Sequence, residues 1–215
     1  MNIKALIYQS PALSGDYPDF DTTKAPEDPF KTFYEWFEHA VKAGVLEPSA
    51  FVFSTADTEG EPSARIVNLR DMTPECFIIG SNSESRKGRD LEGDASVAMT
   101  FYWRETGRQI RITGRAEAAS EEENRKDFLH RHPGSRALSL TAKQSESLGS
   151  MEELKEGIQE AEKMVEENPD AFKTWTLYKV IPSHMEFFQA RKDLAHVRLK
   201  YEKVDGVWQK HLLWP

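Results

Sequence analysis

The chain has 215 residues, 28 Lys and Arg against 36 Asp and Glu, a formal net charge of −8 and a pI near 5.4. A general nucleic-acid binder is excluded, because wrapping phosphate backbone needs a basic excess on one face, so any cationic site here is local. With 39% hydrophobic and 30% charged residues the composition is that of a globular chain, long enough for one domain with a terminal arm.

Residues 1–27 are rich in Pro, Asp, Ser and Thr and read as an arm, either loose or laid on another surface; residues 28–215 read as the domain proper. The arm's only apolar patch, Ala5–Tyr8, is too short for a signal-peptide core. No stretch approaches the roughly 20 apolar residues of a membrane helix. The single cysteine, Cys76, can form no internal disulfide. A cytoplasmic, reducing location is therefore expected, with no membrane or nucleic-acid partner.

Asp28-Pro29 opens a helix that carries Phe30, Phe33, Tyr34, Phe37, Ala40 and Val41 at helical spacing and stops at Gly44. The period then changes to two. Ala50–Thr55, Ala64–Leu69, Cys76–Gly80, Ser96–Trp103 and Arg108–Ala116 read as strands separated by turn signals, the pattern of an antiparallel barrel or sandwich. Helices are expected over Ser120–His130 and Ser150–Glu167, the second with a thin apolar line at Met151, Leu154, Ile158, Ala161 and Val165. Strands return at Thr174–Ile181, Met185–Gln189 and His196–Tyr201, and Asp205-Gly206 turns into a last strand, Val207–Trp214.

Neither G-x-G-x-x-G nor G-x-x-x-x-G-K-[ST], H-E-x-x-H or G-x-S-x-G is present, which removes Rossmann, P-loop, zincin and α/β-hydrolase readings. His130-x-His132 lacks partner ligands and reads as surface histidine rather than metal site. The informative segment is Ser83-Glu84-Ser85-Arg86-Lys87, which follows a strand and begins a short helix toward Leu91. Hydroxyl, guanidinium and ammonium groups at a helix start can receive a phosphate; a capped surface helix with two solvated cations is the alternative.

Three strands carry further polar faces. Arg65 and Arg70 lie on opposite faces of theirs, with Val67 and Leu69 expected in the core. Gln109, Arg111, Thr113 and Arg115 share a face opposite Ile110 and Ile112, and His196, Arg198 and Lys200 share one opposite Val197, Leu199 and Tyr201.

With these residues the chain resembles the pyridoxamine 5′-phosphate oxidase family of FMN flavoproteins, from about Asp28 to the C-terminus. The resemblance rests on Arg65-Ile66-Val67, Ser85-Arg86-Lys87, Arg108-Gln109 ahead of Gly114-Arg115-Ala116-Glu117, Lys143-Gln144-Ser145, Glu186-Phe187-Phe188-Gln189 and His196-x-Arg198-x-x-Tyr201. The arm and the run Phe101-Tyr102-Trp103-Arg104-Glu105 also resemble the phenazine-biosynthesis oxidases, a branch of that family.

What the resemblance implies is a mainly β fold with flanking helices, the FMN-binding split β-barrel, in a homodimer with FMN at the interface. It implies FMN contacts from Arg65, Ile66, Val67, Asn68, Leu69, Arg70, Gly80, Ser81, Arg86, Lys87, Gln109, Gln144, Ser145, Phe188 and Arg198. Substrate would meet Arg70, Asp127, Arg131, Ser135, Leu194 and His196, with His196 the candidate catalytic group. Asp127, Leu194 and Phe188 depart from the family's Tyr, Arg and Trp at those positions. The implied activity is hydride removal from pyridoxamine or pyridoxine 5′-phosphate to flavin, with O2 as acceptor. A larger unphosphorylated ring of the dihydrophenazine type, or flavin binding without turnover, are the alternatives.

Overall fold

The computed structural model describes residues 2–141, 144–168, 172 and 174–215. A short helix, α1 (Ile3–Gln9), which the arm's composition did not announce, precedes α2 (Pro29–Lys42). Asp28 caps α2 by accepting from the Phe30 N–H at 2.9 Å, and Pro29 occupies the first turn, where its missing donor costs nothing. Strands β1 (Ala50–Ala56), β2 (Pro62–Asn68), β3 (Asp71–Met72) and β4 (Phe77–Asn82) lead into α3 (Arg86–Gly93). Then come β5 (Ser96–Trp103), β6 (Arg108–Ala118), helices α4 (Glu121–His130), α5 (Pro133–Leu140) and α6 (Met151–Glu167), and strands β7 (Trp175–Gln189), β8 (Val197–Val204) and β9 (Val207–Leu212).

The strands hydrogen-bond in the order β2-β1-β5-β6-β7-β4-β3, with β8 added on β7 and β9 on β8. Several boundaries differ from the sequence expectation. The two segments expected either side of Pro182 form one strand, because β7 pairs with β4 as far as Val180 and with β8 from His184, and the proline falls in the gap between those two pairings. The hairpin at Asp205-Gly206 is as expected, with positive φ of 50° and 82°.

The chain divides into two compact units. The first takes residues up to Val52, Ala98–Thr113 and Pro182–Pro215. Its core is aromatic: Phe33 meets Phe101 edge-on at 5.2 Å, Trp36 meets Phe187 at 5.2 Å, and Phe187 meets Tyr201 at 5.7 Å. The buried Tyr201 hydroxyl donates to the Pro26 carbonyl at 2.7 Å and lies 3.1 Å from Thr32 Oγ1. Tyr34 and Val41, counted in the helix stripe, are instead exposed at 62% and 54%, and Trp36 takes their place in the core. The arm reaches this core through Phe20, whose ring lies 4.8 Å from that of Trp36.

The second unit takes Phe53–Val97 and Gly114–Ile181. Phe77, Ile79 and Val180 fill its sheet face, Phe128 anchors α4, and Ala137 of α5 packs on Ala161 and Val165 of α6. Each buried large apolar side chain contributes roughly 1.5–3 kcal/mol. Only the C-terminal part of the α6 apolar line is buried, and Met151 is 68% exposed.

Candidate functional site

The second unit holds a cavity of about 1140 Å³ lined by β2, the end of β4, the start of α3, α5, α6 and Trp175. Its polar end is built on the α3 N-terminus. Ser85 is fully buried and caps the helix through Gly88 N–H at 3.3 Å. Gly88 is required there, since a Cβ would sit 2.0 Å from the Ser83 carbonyl oxygen. The Arg86 backbone N–H donates to Ser145 Oγ at 3.2 Å, so a hydroxyl already sits at the positive end of the helix.

Three cations surround this end, and they are unequally engaged. Arg86 is tied to Asp90 at 3.0 Å and Asp57 at 3.1 Å. Arg65 donates to Thr55 Oγ1 at 2.8 Å, to Ser63 Oγ at 2.7 Å and to the Phe53 carbonyl, and stands 3.8 Å from Asp90. Among the described residues Lys87 reaches a single side chain, the hydroxyl of Ser85, at 3.0 Å. Burial, and then the Arg65 charge, push the Lys87 ammonium down to about 8. Arg65 is itself lowered by burial, with Arg86 acting in the same direction and Asp90 against it. Among the described residues two carboxylates, Asp57 and Asp90, lie against these three cations.

The other end is organised around Trp175. Gly80 leaves room for its indole, since a Cβ would lie 2.3 Å from Trp175 Cζ2. The Arg131 guanidinium lies 3.5 Å over the Trp175 ring, with Nη1 buried and unpaired. Burial, and then the Arg70 charge, lower Arg131 to about 10 while Asp127 opposes them. Arg70 gives Nε and Nη2 to Asp127 Oδ1 at 3.0 and 2.7 Å, and Trp175 gives its N–H to Asp127 Oδ2 at 2.8 Å. Leu138, Leu140, Leu154, Ala161 and Met164 complete an apolar wall.

Of the expected residues, Arg65, Ile66, Val67, Asn68, Arg70, Gly80, Ser81, Arg86, Lys87, Arg131, Ser135, Gln144 and Ser145 line this cavity together. Leu69 and Asp127 do not, and Lys143 lies outside the described residues. Arg65 and Arg70 both reach the cavity although an ideal strand would point them apart, because β2 ends at Asn68 and Arg70 already belongs to the pairing with β4, its N–H donating to the Ile78 carbonyl at 2.9 Å. Val67, expected in the core, is half-buried and lines the cavity instead.

Gln109, Phe188, Leu194, His196 and Arg198 belong to the first unit. There Arg198 donates to Glu186 at 2.8 Å and to the Trp214 carbonyl at 2.8 Å, and Arg111 meets the same Glu186 at 3.3 Å. The Glu186 bond raises the Arg198 guanidinium above its ordinary value. His196 Nδ1 accepts from the Arg191 backbone N–H at 3.1 Å, and its ring lies 5.1 Å from Phe188. The neutral imidazole therefore carries its proton on Nε2. Leu194 is exposed at 72% with φ 62°, a left-handed conformation rare for leucine.

Sequence reasoning overlooked Trp175 and Asp90. Asp90 is buried, accepts from Thr55 Oγ1 at 2.6 Å and serves both Arg86 and Arg65. Its place four residues after Arg86 on a helix was the available signal. His132, read as surface histidine, caps α5 by accepting from Gly134 N–H at 3.3 Å.

Residues 37–164 match the family described as Pyridoxamine 5′-phosphate oxidase, and residues 175–215 match the Pyridoxine 5′-phosphate oxidase C-terminal dimerisation region. The pyridoxine/pyridoxamine 5′-phosphate oxidase of Rubrobacter xylanophilus is 38% identical over 192 residues, 89% of this chain and 88% of that protein. That of Pseudomonas paraeruginosa is 36% identical over 194 residues, 89% of this chain and 90% of that protein. Among solved structures, PhzG from Burkholderia lata 383, in complex with tetrahydrophenazine-1-carboxylic acid, has a TM-score of 0.86 at 31% identity, covering 94% of this chain and 100% of that one. A pyridoxamine 5′-phosphate oxidase-related, FMN binding protein from Nostoc punctiforme shares the fold at a TM-score of 0.72 and 13% identity, covering 89% of this chain and 100% of that one.

Proposed function

The chain belongs to the pyridoxamine 5′-phosphate oxidase family of FMN-dependent oxidoreductases with the split β-barrel fold, and from that premise we propose that it is an FMN-dependent oxidase of pyridoxamine or pyridoxine 5′-phosphate. The observation that carries the reading is the under-neutralised end of the cavity. Lys87 and Arg65 repel one another beside the α3 N-terminus, with the Arg86 N–H and Ser145 hydroxyl at hand. A phosphate dianion is the group that such a donor set fits. Gln144 and the backbone of β2 line the adjoining wall, where ring heteroatoms would find donors and acceptors.

A bound FMN would supply hydride-accepting chemistry, with O2 as the final electron acceptor. The protein's own task is placement and exclusion of water. Lys87, Arg65 and Arg86 would hold the phosphate, and Trp175, Arg131 and Ser135, on the same cavity, would meet the substrate. His196, fixed through Nδ1 by the Arg191 N–H, keeps its Nε2–H to donate to the substrate and orient it. Gln109, Phe188, His196 and Arg198 complete the site from a second copy of the chain. The match of residues 175–215 to a dimerisation region, which includes three of them, supports that arrangement.

A second reading keeps the flavin and replaces the vitamer with a dihydrophenazine-type ring. The apolar wall of Leu138, Leu140, Leu154 and Met164 favours it, as does the likeness to PhzG. Anaerobic addition of pyridoxine 5′-phosphate or 5,10-dihydrophenazine-1-carboxylate to flavin-loaded protein decides between them. The first reading expects the phosphorylated vitamer to bleach the flavin's visible band. Bleaching by the phenazine alone selects the second, and bleaching by neither sinks both.

A further inference from the structure

The last residues of the chain are fixed by their backbone, while their largest side chain is bare. Just past the end of β9 the Leu213 N–H donates to the Arg198 carbonyl at 2.9 Å, and the Trp214 carbonyl accepts from Arg198 Nη1 at 2.8 Å. Glu186 holds the same guanidinium through Nε at 2.8 Å, so the tail is pinned to β8 by a side chain that is itself held. Trp214 is nevertheless 91% exposed, the highest value among the large apolar residues described, and its indole finds no cover in its own protomer. A pinned and uncovered indole marks a surface that another molecule covers, because few side chains gain more from leaving water.

The position of Trp214 identifies that molecule. Its anchor, Arg198, completes the cavity of a second copy in the function proposed above, and both residues lie in the stretch matched to the dimerisation region. Whatever brings Arg198 to the partner's cavity also brings the residue bonded to it. The cavity, for its part, is lined by Ile66, Leu138, Leu148 and Met164, each an exposed apolar side chain. Resting on the flavin-oxidase reading above, we infer that Trp214 of each copy packs on this apolar rim of the other copy and closes its cavity over the cofactor. Two-fold symmetry makes the contact twice, so each cavity is walled by one copy and capped by the other.

Fluorescence titration with FMN tests the inference. Trp214→Ala keeps the backbone carbonyl that Arg198 bonds and removes only the indole. Its homodimer is expected to bind FMN about tenfold more weakly than wild type. A heterodimer that joins a Trp214→Ala copy to a copy carrying Arg86→Ala and Lys87→Ala then separates capping between copies from capping within one. If the indole acts on the partner, one cavity has both its own cations and the other copy's Trp214, and the heterodimer regains one wild-type FMN site. If it acts within its own chain, neither cavity has both. Wild-type affinity in the Trp214→Ala homodimer, or a heterodimer with no wild-type site, overturns the inference.

Should Trp214→Ala not fold, Trp214→Gln carries the same comparison. If wild type takes up no FMN, the oxidase reading fails on its own account, and sedimentation equilibrium decides the contact. Trp214→Ala must then raise the dimer dissociation constant about tenfold or more. An unchanged constant, or a wild type that is monomeric, overturns the inference.

Discussion

Among the described residues of the unit built around β4 and α3, Lys87 has a hydroxyl for its only partner and Arg131 leaves Nη1 unpaired, whereas in the other unit Arg198 is held between Glu186 and the Trp214 carbonyl and Arg111 shares the same carboxylate. Arg108 breaks the contrast only in part. It is 6% exposed, lies 4.2 Å from the Trp36 ring centroid and bonds Gln189, but it too keeps Nη1 unpaired and falls to about 10 through burial. Cations matched to internal carboxylates tie strands together. Those left short of negative charge around an open cavity mark ground prepared for an anion, because their mutual repulsion is relieved only when one arrives.

The harshest way to break this comparison is to strip the short-handed end. Replacing Arg86 and Lys87 together by Ala should weaken FMN binding a hundredfold or more, since each charge-assisted contact is worth roughly 1.5–3 kcal/mol. Fluorescence titration with FMN measures it, and unchanged affinity would remove the phosphate assignment. Asp90 tests the converse, a carboxylate that the cavity cannot spare. Asp90→Ala leaves Arg86 and Arg65 short of a buried partner and should cost about 3–5 kcal/mol of stability in urea denaturation.

The contrast is sharpened by pH. Lys87 is cationic below about 8 and loses its proton above it, while a bound phosphate dianion would restore its basicity. FMN binding is therefore fully supported at pH 7 and weakens as pH rises past 8, by at most about tenfold per pH unit. A flat profile from pH 7 to 9.5 would show that Lys87 does not touch the anion. The smallest effect belongs to the first unit: Leu194→Gly relieves a left-handed leucine and should stabilise the fold by about 1 kcal/mol. Equal or lower stability would mean that the exposed leucine has packing of its own.

Local rules made much of this legible. Asp28-Pro29 marked a helix start, Asp205-Gly206 a hairpin, and Ser85-Arg86-Lys87 a capped helix bearing cations, and each is found there. What periodicity could not supply was pairing. The junction at Pro182 looked like a strand break because the change of partner from β4 to β8 is a non-local fact. Asp127 was singled out only through the resemblance, and its bonds to Arg70, 57 residues earlier, and Trp175, 48 later, are non-local facts that no spacing carries. Helix α5 escaped because Gly134 and Ser135 dilute its pattern, though Pro133 after a His132 cap signalled it.

The central claim is that the cavity between the α3 N-terminus and Trp175 takes FMN, and the most direct measurement is equilibrium titration of the purified protein with FMN at pH 7 in the presence of rising inorganic phosphate. The account predicts stoichiometric uptake of the yellow cofactor, weakened competitively as phosphate occupies the Lys87 end. A protein that stays colourless with excess FMN, or an affinity indifferent to phosphate, would contradict it.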